Sequence, residues 1–242
     1  SEPYAKRTSH GLILADDGTK FSKSKGNGID PNDIVKIYGA DSLRLYEMFM
    51  GPFDQAVSWS TDGLVGPRRF LERVWKLGNQ IKISKNSATE KKLEIVLHKT
   101  IKKVSEDIEG MRFNTAISSM MILATEMEKV KEISKKDFKI FLQLLSPFAP
   151  HIAEELWSIL GEKKSIHIST WPKWDPKLIV DNEVKMIVQV NGKVRGEFQT
   201  SVDLNEDEAK KKAYEIPEVK KWLIGEVKRV VFIPNKIINS VI

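Results

Sequence analysis

The 242 residues contain no cysteine, which excludes disulfides and any thiolate-ligated metal. Histidine is scarce, and His10, His98, His151 and His167 show no metal-ligand spacing. No apolar run reaches the roughly 20 residues that a helix needs to cross a bilayer. The start of the chain shows no apolar core of a signal peptide. A cytoplasmic protein without a protein-bound metal and without a membrane partner is the expectation. Internal repeats, low-complexity tracts and glycine-rich cofactor fingerprints are missing too.

Hydrophobic residues make up 41% of the chain, enough for packed cores in one large or two to three small domains. The net charge is +6, unevenly spread. Residues 1–60 hold 7 basic and 8 acidic side chains, whereas residues 61–180 hold 21 and 15. Residues 181–242 are close to balance, with 11 and 10. A basic middle segment suits a polyanion such as RNA, although a solvated lysine-rich helical surface carries the same signature.

The most informative run is residues 18–27, Gly-Thr-Lys-Phe-Ser-Lys-Ser-Lys-Gly-Asn. Lys20, Lys23 and Lys25 lie among Ser22 and Ser24, between Gly18 and Gly26. Mobile ammonium groups, hydroxyl donors and a pliant backbone are what closing over a phosphate chain requires. A plain solvated connection is the alternative reading of these residues.

The coarse pattern is mainly helical with α+β ends. A short apolar run at 11–15 reads as a strand. Asp30 and Pro31 read as the cap and first residue of a helix that Gly39 interrupts, and residues 40–50 as a second helix. Residues 61–160 read as five helices forming an antiparallel bundle. Leu64, Leu71, Val74, Trp75 and Ile81 mark the inward side of the first. Leu93, Leu97, Ile101, Val104 and Ile108 mark the second, and Asn114 is expected to cap the third. Pro147 and Pro150 stop the fourth, and Gly161 can end the fifth. Trp171, Pro172, Trp174 and Pro176 stiffen a linker. The period then becomes two through Val184, Met186, Val188 and Val190, and Asn191-Gly192 predicts a type I′ hairpin turn. A ββαβ-like module ends the chain.

The lysine run resembles the K-M-S-K-S signature of class I aminoacyl-tRNA synthetases, with Phe21 in place of Met. The order of Tyr38-Gly39-Ala40-Asp41-Ser42-Leu43-Arg44, Trp59-Ser60 and residues 66–75 is similar to the leucyl, isoleucyl, valyl and methionyl group. Residues 188–196, Val-Gln-Val-Asn-Gly-Lys-Val-Arg-Gly, look like the small terminal domain of bacterial-type leucyl enzymes. The absence of cysteine also favours the leucyl branch, since isoleucyl enzymes tend to end in a cysteine-bearing zinc module.

This resemblance implies four parts. Residues 1–60 would be the end of a Rossmann-type catalytic domain, 61–163 a tRNA-binding helix bundle, 164–180 a linker, and 181–242 a small tRNA-binding α+β domain. Lys23 and then Lys20 would act on the ATP phosphates, assisted by the Ser22 and Ser24 hydroxyls, with Mg2+ arriving on the ATP. A lysine 4 Å from a phosphate contributes about 4 kcal/mol at an effective dielectric near 20. Arg69, Arg73 and Lys76, spaced on one helix face, would meet tRNA(Leu) phosphates, unless Glu72 and neighbouring acids pair with them. Arg112, and Lys193 with Arg195 on one strand face, are further tRNA candidates. The His-x-Gly-His half of the class I site is absent from these residues, so an N-terminal catalytic portion or large subunit is the implied partner. A stand-alone RNA-binding module and a sibling synthetase remain the alternatives.

Overall fold

The computed structural model describes residues 3–80, 82–84, 89–179, 183–202 and 204–242. The chain is mainly helical with some sheet, and divides into two compact units, residues 1–179 and 180–242.

The first unit opens with strand β1 (Ile13–Leu14), followed by helices α1 (Pro31–Tyr38) and α2 (Ala40–Phe49) and strand β2 (Val57–Ser58). Next come α3 (Val65–Gln80), strand β3 (Lys82–Ser84), α4 (Lys91–Glu109) and α5 (Phe113–Met127). Strand β4 (Glu132–Ser134), α6 (Lys135–Leu145) and α7 (Pro150–Ile159) complete its named elements. The strands here are minimal and parallel, β1 with β2 and β3 with β4. The β3–β4 pair has no counterpart in the sequence reading, because three residues are too few to show a period.

Local chemistry sets the helix ends. The Asp30 carboxylate accepts from the Asn32 N–H at 2.8 Å, with Pro31 at the first helical position. Gly39 breaks α1 from α2 in a backbone conformation with φ of 87°. Ser134 caps α6 by accepting from the Asp137 N–H at 3.1 Å. The start of α5 differs from expectation. Arg112 occupies the cap position without a side-chain cap bond, and Asn114 lies inside the first turn. The turn before it, with Met111 at φ 55°, is closed by Asp107 instead. The carboxylate of this buried residue accepts from the Arg112 Nε and the Thr115 hydroxyl rather than from a backbone N–H of α5, so it braces the turn through side chains without capping the helix.

Two cores hold this unit. Ile34, Leu43, Tyr46, Trp59 and Leu64 form a small one under the lysine run. The larger collects the apolar faces of α3 to α7, with Phe138, Phe141, Phe148 and Met120 fully enclosed. Each such side chain contributes about 1.5–3 kcal/mol by leaving water. The methionines of α5 fill this core. Trp75 does not join it and stays 42% exposed. Ile81, the other end of that expected stripe, lies outside the described residues.

The second unit contains β5 (Glu183–Val190), β6 (Lys193–Ser201), α8 (Glu206–Glu215), α9 (Pro217–Lys220), β7 (Arg229–Ile233) and β8 (Ile237–Val241). The sheet order is β6-β5-β8-β7. Met186, Val188, Val190 and Ile238 pack against Ala209, Ala213 and Val219 of the helices. The ββαβ expectation is corrected here: a further strand, β8, occupies the middle of the sheet, parallel to β5. Its sequence, Ile-Ile-Asn-Ser-Val, sets two polar residues among three aliphatic ones. Ser240 is nevertheless buried and shares a hydrogen bond of 2.9 Å with the Tyr214 hydroxyl.

Candidate phosphate loop and nucleic-acid interface

The lysine run folds back on β1. Lys20 pairs with Leu14 as an antiparallel bridge, and the Thr19 carbonyl accepts from the Ala15 N–H at 2.8 Å. Gly18 and Gly26 take left-handed φ values of 77° and 65°, which side chains disfavour. Asp17 accepts from both the backbone N–H and the hydroxyl of Thr19 at 2.8 Å. Those two bonds, the backbone one first, hold its carboxyl below the usual range. Lys23–Lys25 forms one 3-10 turn.

Asn27 is the clasp of this loop. Its Oδ1 accepts from the Ser22 N–H at 2.8 Å, and its Nδ2 donates to the Lys20 carbonyl at 3.3 Å. Phe21 packs against the small core, so the loop is pinned by its apolar residue while its cations face outward. Lys20, Lys23 and Lys25 are exposed, and none forms a salt bridge with a described residue. Ser22 and Ser24 share a hydroxyl hydrogen bond of 2.8 Å. The cavity of about 700 Å³ behind the loop carries Asp16 and Asp62 in its lining. Those carboxylates repel a polyanion, so the outward ammoniums are the groups suited to phosphate. Among the described residues no cluster of metal-ligating side chains occurs.

The arginines of α3 divide by partner. Arg68 donates to Glu72 at 2.9 Å and to the Tyr38 carbonyl at 3.1 Å. Arg73 forks onto Glu128, at 2.9 and 2.6 Å, and donates to the Thr125 hydroxyl at 2.9 Å. Glu128 strengthens the hold of Arg73 on its proton. Arg69 and Lys76 are exposed and carry no such clamp among the described residues. Arg112 donates to Asp107 at 2.8 Å and to the Glu106 carbonyl at 3.0 Å, with its side chain 55% exposed.

In the second unit, Asn191 and Gly192 have φ of 52° and 76°, the left-handed pair that a type I′ turn requires. Lys193 is exposed beside it. The register slips between Val188 and Gln189, leaving Arg195 as the extra residue of β6. A bulge of this kind interrupts the two-residue alternation from which a shared face for Lys193 and Arg195 was inferred. The Arg195 guanidinium lies 3.4 Å from the ring centre of Trp222, itself 49% exposed.

Residues 90–211, just over half of the chain, match the family model of the anticodon-binding domain of tRNA ligases. The chain belongs to this tRNA ligase family. Residues 1–60 match the model of class I tRNA synthetases of the I, L, M and V group. The leucine–tRNA ligase of Alkaliphilus oremlandii (strain OhILAs) is 46% identical over all 242 residues. The crystal structure of the Agrobacterium radiobacter K84 agnB2 LeuRS–tRNA–LeuAMS ternary complex aligns with a TM-score of 0.77 at 31% identity, covering 99% of this chain. The chain spans 30% of the length of the first protein and 34% of the second.

In this member of the family, sequence reasoning missed the residues that join the loop-bearing segment to the helices. Asp41, on α2, accepts from the Ile152 N–H at 2.8 Å and the His151 N–H at 3.3 Å, and its Oδ1 lies 2.7 Å from His151 Nδ1. It therefore caps α7 from 110 residues away. Arg44 donates to the Pro147 carbonyl at 2.9 Å. Tyr46 accepts from the Ser60 N–H at 2.8 Å through its hydroxyl. No local signal exposes such long-range bonds. Asn27 was within reach of sequence reasoning, since an asparagine between two glycines is a common side-chain-to-backbone turn former.

Proposed function

We propose that this chain supplies the ATP-phosphate loop and the tRNA-binding portion of a leucine–tRNA ligase, acting in the cytoplasm. The observation that carries this reading is the loop itself: Phe21 anchored, Asn27 clasping the backbone, and Lys20, Lys23 and Lys25 left exposed without salt bridges among the described residues. The relative's activity and the ternary complex with tRNA and LeuAMS support it. Activation of leucine displaces pyrophosphate from ATP, and negative charge grows on the leaving oxygens. Lys23, with Lys20, would meet that charge, and Ser22 and Ser24 would donate to it, with Mg2+ carried on the ATP. The rest of the active site, including the His-x-Gly-His half, would come from a partner portion of the enzyme. Residues 1–60 would close the catalytic domain. Residues 61–163 and 181–242 would hold tRNA(Leu) through Arg69, Arg73, Lys76, Arg112, Lys193 and Arg195, joined by 164–180.

Leucine-dependent ATP–pyrophosphate exchange tests the reading. The chain alone should be inactive, and exchange should appear when the N-terminal portion is added. Lys23→Ala should then raise the barrier by about 2–4 kcal/mol, the scale of one preorganised electrostatic group. Substantial exchange by the 242 residues alone, or an unaffected Lys23→Ala enzyme, refutes it.

A further inference from the structure

A cleft of about 730 Å³ lies between α6, the end of α7 and the segment at residues 169–173. Lys135, Lys136, Lys139 and Lys173 line it, against one carboxylate, Glu162. Lys139 and Lys135 both reach the same oxygen, Glu162 Oε1, at 3.0 and 3.3 Å. Their side chains are only 29% and 24% exposed, so these ammoniums are held in place. Lys139 also lies 4.7 Å from the ring centre of Trp157. The hydrogen bond from Lys139, with a lesser one from Lys135, keeps Glu162 ionised well into acid. Lys136 and Lys173 are exposed and have no ion-pair partner among the described residues.

The charge does not balance: four cations line the cleft against one anion, and only two of them pair with it. Two of them, Lys135 and Lys136, open α6, where the helix dipole disfavours positive charge. That arrangement is relieved by an incoming anion. The wall at residues 169–170 is fixed, because Gln143 Nε2 donates to the Ser169 hydroxyl and the Thr170 carbonyl, each at 3.0 Å.

We propose that this cleft is a phosphate-binding site that takes the backbone of the bound RNA, separate from the α3 arginine row. The proposal rests on the tRNA-binding reading above. Beside the pair held on Glu162, Lys136 and Lys173 are exposed cations in the lining of the same cleft. Flexible ammonium stems suit successive phosphates and read no base sequence.

Filter binding of a tRNA(Leu) transcript to the full chain across a salt series tests it. Lys136→Ala with Lys173→Ala should lower the slope of log affinity against log salt by about 1.4–1.8, the share of two phosphate contacts. Lys136→Arg with Lys173→Arg should keep the wild-type slope. Glu162→Gln frees two ammoniums and should act in the opposite direction, tightening RNA and steepening the slope. Circular dichroism melting confirms that the variants fold. Unchanged slopes in the double alanine and Glu162→Gln chains overturn the proposal. If Arg69→Ala lowers the slope in the same assay, the RNA reading stands and only the cleft fails. The second arm is inorganic pyrophosphate. If it raises the melting temperature of the wild type but not of the double alanine chain, while RNA slopes stay unchanged, the cleft binds a free anion and the RNA assignment falls.

Discussion

Asp41→Ala should loosen the junction between the loop-bearing segment and the helices. Asp41 is 9% exposed and accepts three hydrogen bonds, two from the first turn of α7 and one from the His151 ring. Loss of an N-cap acceptor costs about 0.5–2 kcal/mol. Removing a carboxylate from the positive end of a helix adds about 0.3–1 kcal/mol, and up to about 2 when partly buried. The side-chain bond to His151 adds about 0.5–1.5 kcal/mol at most, since that ring is 72% exposed and water can replace the carboxylate. The expected total is about 2–4 kcal/mol, because the terms overlap on one carboxylate. Asp41→Asn keeps one acceptor oxygen for the first turn of α7 but replaces the other by an NH2 donor, and should cost about 1–2 kcal/mol, from the lost charge and one lost hydrogen bond. Urea unfolding followed by circular dichroism reads both, with the transition of residues 180–242 separated by comparison with that unit alone. An alanine variant within 0.5 kcal/mol of wild type, or an asparagine variant as damaged as alanine, would refute the reasoning.

Three further outcomes follow. Burial pushes the Asp107 carboxyl up, but hydrogen bonds from Lys103, Thr115 and Arg112 outweigh it and hold the folded value below the ordinary one. Its stabilisation is thus complete above the unfolded value of about 3.9 and lost as pH falls through the depressed folded value. Asp107→Asn should cost about 2–4 kcal/mol at pH 7, by leaving its cations unpaired, and the gap to wild type in denaturant unfolding should shrink near pH 3. Arg69→Ala and Arg73→Ala should each lower the salt slope of tRNA binding by about 0.7–0.9, yet only Arg73→Ala should destabilise the fold, by about 1–2 kcal/mol, through loss of Glu128 and Thr125. A destabilised Arg73→Ala chain with an unchanged slope would show that Arg73 merely ties α3 to α5. Deleting residues 180–242 should leave residues 1–179 folded, since the two units have separate cores. In the reconstituted enzyme the deletion should impair leucylation of tRNA more than adenylate formation; equal loss of both would contradict this division.

Much of the fold was legible because it rests on local rules. The Asp30-Pro31 start of α1, the break at Gly39 and the Asn191-Gly192 turn each depend on a few adjacent residues. The apolar stripes of α4, α5 and α6 repeat often enough to fix which face is buried. The errors share one cause. The start of α5, Trp75 and β8 were judged from neighbours in sequence, while they depend on the turn braced by Asp107, on the surroundings of α3 and on β5. The turn before Asn114 is braced by Asp107 of the preceding helix through Arg112 and Thr115, and buried Ser240 is satisfied by Tyr214 from another element.

The candidate site divides in the same way. Residue types and spacing alone determined that residues 18–27 carry cations and hydroxyls between glycines, and that the basic excess lies in residues 61–180. Only tertiary structure decided which cations have partners. Arg73 meets Glu128 from 55 residues away, Arg112 meets buried Asp107, and Arg195 lies on Trp222. Among the described residues, Arg69, Lys76 and the loop lysines have no such clamp. The physical reason is range: backbone propensity and capping act within a few residues, whereas the pairing of a charge is set by whatever the folded chain brings within about 4 Å.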